Sequence, residues 1–152
     1  MSATRITRYF NAPRSAVYRA LLDSRAVQAW RVPRGMTSQV HEFDPREGGH
    51  FRVSLTYDRP TGTGKTTAKT DTYHGYFVRL VLDEQIVESI EFETAEPSMS
   101  GEMIVTTTLK DSGRGTELTA VHDRLPPGLS PTDNELGWRE ALDRLAALVE
   151  AR

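Results

Sequence analysis

The sequence predicts an α+β fold: a curved, seven-stranded antiparallel sheet, two short helices after the first strand, and a long C-terminal helix packed in the sheet. Three observations lead there. Between residues 38 and 124, apolar and polar residues alternate with period two in six runs, each parted from the next by turn residues. One further alternating run, "TRITRYFN", precedes two short helical patterns. After residue 130 the period changes to that of an amphipathic helix.

Taken in order, "APRSAVYRALLDS" reads as the first helix, with Pro13 in its first turn and Val17, Leu21 and Leu22 at helical spacing. "SRAVQAW" reads as a second helix capped by Ser24, and "RVPRG" breaks it. The six later strands are "QVHEF", "HFRVSLTYD", "TYHGYFVRLVL", "QIVESIEFE", "EMIVTTTLK" and "TELTAVHDR". Their short links, "DPREGG", "DE", "TAEPSMSG" and "DSGRG", argue for an antiparallel meander with one wet and one buried face. In the last helix Ser130 is the cap, Pro131 takes the first position and Asp133 completes a box-like start. Trp138, Ala141, Leu142, Leu145, Leu148 and Val149 form its apolar stripe. A straight helix against a bent sheet leaves space unevenly filled, so a cavity between them is expected. Thr107, Ala120 and His122 at inner positions, and Gly137 within the helix, fit that expectation.

Composition sets the bounds. A chain of 152 residues is read as one domain, spanning 1–152. With 38% hydrophobic and 26% charged residues, it has the balance of an ordered globular protein. A net charge of −2 provides no field to draw nucleic acid or an anionic membrane. The absence of cysteine excludes disulfides and thiolate chemistry. "MSATRITRYF" has no apolar leader and no run is long enough to span a membrane, so a cytoplasmic location is expected.

Residues 61–70, "TGTGKTTAKT", imitate a phosphate-binding loop. The imitation fails where the first glycine should stand, since that position is Arg59. An alternating strand precedes the segment and no helical pattern follows it, so no helix N-terminus would meet a phosphate. It reads as a hairpin connection between the third and fourth strands. Lys65 and Lys69 could meet an anionic ligand group if the loop rims a cavity.

The pieces "APRSAVYRALLDS", Trp30, "DPREGGHFRV", "HGYFVRLVLDEQIV", "VTTTLKDSGRGTELTAVHD" and "GWREALDRLAALV" together carry a family resemblance. The chain resembles the START and Bet v 1-like (SRPBCC) helix-grip superfamily. Within it, the chain is similar to the branch named after the C-terminal domain of the activator of the HSP-90 ATPase. The resemblance implies a pocket between sheet and helix, with no one chemistry attached. It also admits a chaperone as partner, although the chain as given lacks a second domain.

The candidate pocket residues are Trp30, Phe51, Tyr57, His74, Tyr76, Phe92, Met103, Val105, His122, Trp138 and Leu142. Flat rings and a few polar tips suit a small apolar or amphipathic ligand. No cofactor and no metal are expected, since no "HExxH" occurs and no two histidines stand four apart in a helix. His122 shares a face with Leu118 and Ala120, and His74 with Tyr76, Val78 and Leu80. Glu88 shares one with Ile86, Ile90 and Phe92. If that face is the inner one, Glu88 needs a partner such as Arg79 or a polar ligand; otherwise it is a surface charge. A binding role without catalysis is the expectation. The alternative is an enzyme of the aromatic-cyclase or hydrolase kind, using His122 or His74 with a glutamate. A homodimer is compatible with the sequence, but no feature demands one.

Overall fold

The computed structural model describes residues 3–58 and 70–150. The chain runs β1 (Thr4–Phe10), α1 (Arg14–Leu21), α2 (Ser24–Trp30), β2 (Met36–Phe43), β3 (His50–Tyr57), β4 (Thr70–Val81) and β5 (Gln85–Phe92). A 3-10 turn (Pro97–Met99), β6 (Met103–Ser112), β7 (Gly115–Asp123) and α3 (Pro131–Glu150) follow. All neighbouring strands are antiparallel, in the order β1-β7-β6-β5-β4-β3-β2. The sheet curves into a half-barrel around α3. The expected architecture is therefore the observed one. The segment 61–69, with Lys65 and Lys69, lies outside the described residues.

Alternation places Leu118, Ala120 and His122 of β7 and Val105, Thr107 and Leu109 of β6 on the inner face. α3 lays Ala141, Leu142, Leu145, Ala146 and Val149 on this surface. Each fully buried leucine there contributes roughly 1.5–3 kcal/mol. The predicted stripe shifts slightly, since Leu148 is exposed and Ala146 is buried instead. Ser130 does cap the helix, its Oγ accepting the N–H of Asp133 at 3.2 Å. For α2 the cap is Asp23 rather than Ser24, because its carboxylate accepts from the N–H groups of both Arg25 and Ala26. Pro13 sits one place earlier than expected, in extended backbone at the cap of α1.

Two β-bulges bend the sheet, one in β2 between Val40 and Glu42 and one in β4 between Phe77 and Arg79. On β2, the N–H of Val40 donates to Gln28 Oε1 of α2 at 3.0 Å. Gly75 permits the close approach of β4 to β5: a Cβ there would lie 1.8 Å from the carbonyl oxygen of Ser89 and 2.9 Å from Phe51 Cζ. At Gly137 a Cβ would meet only Pro33, at 3.6 Å, an ordinary contact.

Opposite outcomes are expected from one substitution at these two glycines. Gly75→Ala should destabilise the protein by about 3 kcal/mol or more, as overpacking against backbone does. Gly137→Ala should stabilise it by up to about 1 kcal/mol, the helix-propensity difference. Urea denaturation of both variants checks the pair.

Candidate functional site

A cavity of about 760 Å³ lies between the first half of α3 and the inner face of the sheet. Leu55 and Tyr57 of β3, Ile90 and Phe92 of β5, and Met103 and Val105 of β6 form much of its wall. Asn134, Gly137 and Trp138 of α3 stand over it, with Met36, Pro33 and Met99 around them. Exposed Leu136 and Glu96 also line it and connect it with solvent.

The polar side of the cavity is built around Arg31, which follows α2. Its guanidinium donates to Glu88 of β5 at 2.8 Å, and the two side chains are only 11% and 5% exposed. The guanidinium carbon lies 4.9 Å from the centre of the Trp138 ring and 5.6 Å from that of Tyr73. Planar guanidinium is the cation suited to such stacking. Burial alone would lower the Arg31 pKa; the adjacent Glu88 carboxylate reverses this and leaves it raised. Glu88 is thus the buried acid, and its partner is Arg31 rather than Arg79.

Tyr73 and His122 flank this pair. Both are buried and both line the cavity. The Tyr73 hydroxyl and His122 Nε2 are buried atoms with no hydrogen-bond partner among the described residues. His122 Nδ1 lies 3.2 Å from Thr4 Oγ1, which also accepts from Asn134 Nδ2 at 3.0 Å. The imidazole packs on Trp138, with ring centres 4.6 Å apart. Burial, reinforced by Arg31, lowers the His122 pKa to about 3, so the ring is neutral. Burial raises that of Tyr73 against the opposing pull of Arg31.

The structure brings together six of the candidate residues around the cavity: Tyr57, Phe92, Met103, Val105, His122 and Trp138. The other five lie elsewhere. Phe51 packs in the core against Tyr73 and Phe77. Trp30 and Leu142 border a separate void of about 10 Å³, too small for a ligand. His74 and Tyr76 occupy the outer face of β4, because Tyr73 takes the inward position of that strand. There His74 Nδ1 lies 3.0 Å from Glu93 Oε2, and Arg52 donates twice to the same carboxylate, at 2.7 and 2.9 Å. Those bonds, chiefly the ones from Arg52 and despite some burial, lower the Glu93 pKa to about 2. Arg31, Tyr73 and Asn134 were not among the candidates. The inward parity of Tyr73 was the readable signal; for Arg31 there was none, since it sits in a segment without periodicity.

Among the described residues no cluster of His, Asp or Glu could hold a metal ion. No described helix is long and apolar enough to cross a membrane.

A half-barrel sheet closed around a C-terminal helix, with a cavity beneath the first turns of that helix, defines a helix-grip domain of the START and Bet v 1-like (SRPBCC) type. The chain belongs to the Activator of Hsp90 ATPase homolog 1-like protein family, whose model matches residues 11–150. A crystal structure of a protein from Chromobacterium violaceum is 33% identical, with 99% of this chain and 98% of that one covered and a TM-score of 0.89. One from Rhodobacter sphaeroides is 24% identical over 99% and 93% of the two chains, with a TM-score of 0.77. DynU16, from the dynemicin biosynthetic locus, shares the fold at 21% identity and a TM-score of 0.69, with 99% of this chain and 48% of that one covered. Among curated proteins, none matched.

Two outcomes are expected of the polar cluster. Glu88→Ala should cost about 3–5 kcal/mol by leaving a buried cation unpaired, while Arg31→Met with Glu88→Leu should cost far less. Chemical denaturation separates the two. His122 binds its proton more readily when unfolded, at its ordinary 6.5, than when folded, at about 3. Its stabilising effect is therefore complete above pH 6.5 and is lost progressively as pH falls toward 3. Glu93 adds a similar loss only between its ordinary 4.5 and about 2. His122→Phe should accordingly flatten the stability profile between pH 6.5 and 4.5, measured by denaturation at stepped pH.

Proposed function

We propose that this protein binds one small apolar or amphipathic molecule in the cavity beneath α3, without chemically altering it. The carrying observation is the cavity itself: about 760 Å³, with Leu, Ile, Met, Val and aromatic side chains forming much of its wall and polar groups, among them Arg31, Tyr73 and His122, set into it. Small-molecule sites have this size and this composition. Family membership supports the same reading, since helix-grip domains enclose pockets of this kind.

The enzymatic alternative would use His122 or His74 with a glutamate. His122 bonds Thr4 and has no carboxylate partner among the described residues. His74 does have one, in Glu93, but on the outer face and away from the cavity. Neither arrangement supplies a base aimed at an enclosed substrate. A chaperone-regulating role rests on the family description alone.

Native mass spectrometry after exposure to a bacterial lipid extract and a mixture of aromatic metabolites should find one retained molecule per chain. A ligand at one hundred times its Kd should stabilise the fold by about 2.7 kcal/mol. Leu55→Trp, which fills the cavity from β3, should remain folded and bind at least about tenfold more weakly. If nothing is retained and nothing raises Tm, the reading fails.

A further inference from the structure

The binding reading leaves open which end of an amphipathic molecule meets the polar side of the cavity. Four groups there determine the answer. Arg31 carries a charge, but Glu88 neutralises it at 2.8 Å. Tyr73 offers a hydroxyl without a partner among the described residues, and so does His122 with Nε2.

The donor in the Thr4 contact sets the tautomer of His122. Thr4 Oγ1 has one hydrogen and already accepts from Asn134 Nδ2. Its second lone pair is still open, so in the contact with His122 Nδ1, 3.2 Å away, either atom can donate. Where Thr4 donates, the neutral imidazole carries its own proton on Nε2. The low pKa of His122 agrees with the neutral form. In that tautomer both unpartnered groups are neutral and can donate. Orphaned donors in a buried site favour a ligand that supplies acceptors.

Charge decides between kinds of acceptor. The cavity lining includes Asp71, Glu96, Asp133 and Glu140 against Arg31 and Arg34. With Glu88 bound to Arg31, the buried cation beside the cavity is already compensated, and Arg34 is exposed. A carboxylate entering here would shed its hydration and meet no uncompensated buried cation. A ketone, ester or amide oxygen loses far less on leaving water.

We infer that the Thr4 hydroxyl donates to His122 Nδ1, and that the cavity takes a neutral amphipathic molecule whose carbonyl-bearing end sits beside Arg31 and accepts hydrogen bonds from the Tyr73 hydroxyl and His122 Nε2–H. This rests on the binding reading above. Arg31 then acts as a positioning residue, its guanidinium lying over the Tyr73 and Trp138 rings, while Glu88 offsets its attraction for anions.

Three probes of one shape test this: naphthalene, 2-acetylnaphthalene and 2-naphthoate, titrated at pH 7.5 and followed by calorimetry. The ketone should bind about tenfold more tightly than naphthalene, and the carboxylate more weakly than the ketone. Tyr73→Phe and His122→Phe should each lower ketone affinity about three- to tenfold and leave naphthalene binding unchanged. Tyr73→Phe should also raise the Tm of the free protein, because it removes a buried hydroxyl that lacks a partner. Equal binding of ketone and naphthalene would overturn the carbonyl anchor while leaving the binding cavity intact. Tightest binding of the carboxylate would overturn the neutral selection. Failure of all three probes to bind would overturn the anchor, and, combined with no retained molecule in the mass spectrum, the binding reading as well.

Discussion

Arg31 must leave water before the helices and the sheet can close on one another. An isolated guanidinium could not make that move, since the cost of burying an unpaired charge exceeds what a single contact returns. Glu88 supplies the opposite charge from β5, and the faces of Tyr73 and Trp138 supply the remaining environment from β4 and α3. One cation thus ties the end of α2 to two strands and the long helix. Buried pairs of this kind are seldom stronger than a well-packed apolar substitute. Their effect lies in geometry, because a fork of N–H groups between two rings tolerates few other arrangements.

The same cluster divides the interior in two. Arg31 and Trp138 border both the large cavity and the small void behind it. On the void side, Trp30, Leu118 and Leu142 fill the space nearly completely. The second half of α3 packs there, with Leu145 fully buried. On the cavity side the first half of α3 offers Asn134, Gly137 and Trp138, with exposed Leu136 beside them, and no buried aliphatic side chain from that half fills the space. Solid core and open cavity therefore belong to two halves of one helix.

Much of the fold was legible because period-two alternation and turn chemistry are local. The six meander strands, the Ser130 cap and the apolar stripe of α3 can each be read from a dozen neighbouring residues. What alternation does not carry is which of two faces turns inward. On β4 both parities held aromatic residues, Tyr73 and Phe77 on one side, His74 and Tyr76 on the other. The bulge after Phe77 then reverses the parity and sets Leu80 opposite buried Ile86, while Val78 is exposed, so neither supports an inward His74 face. On β5 the apolar neighbours of Glu88 pointed to its burial, yet its partner stands 57 residues earlier in the chain. No local pattern encodes an ion pair across that separation. The site was accordingly half legible: its aliphatic and aromatic wall followed from strand parity, its charged floor did not.

An open sheet has two margins, and here these are β1 and β2. A flat margin with free N–H and C=O groups is a template on which another chain can add a strand. β2 is poorly suited to that. Its bulge at Val40 and Glu42 interrupts the regular spacing of donors and acceptors. The Val40 N–H is already occupied by the amide oxygen of Gln28 from α2. The small helix that carries Trp30 into the core thereby also blunts the β2 margin, so a half-barrel that never closes into a full one is guarded against strand addition on that side.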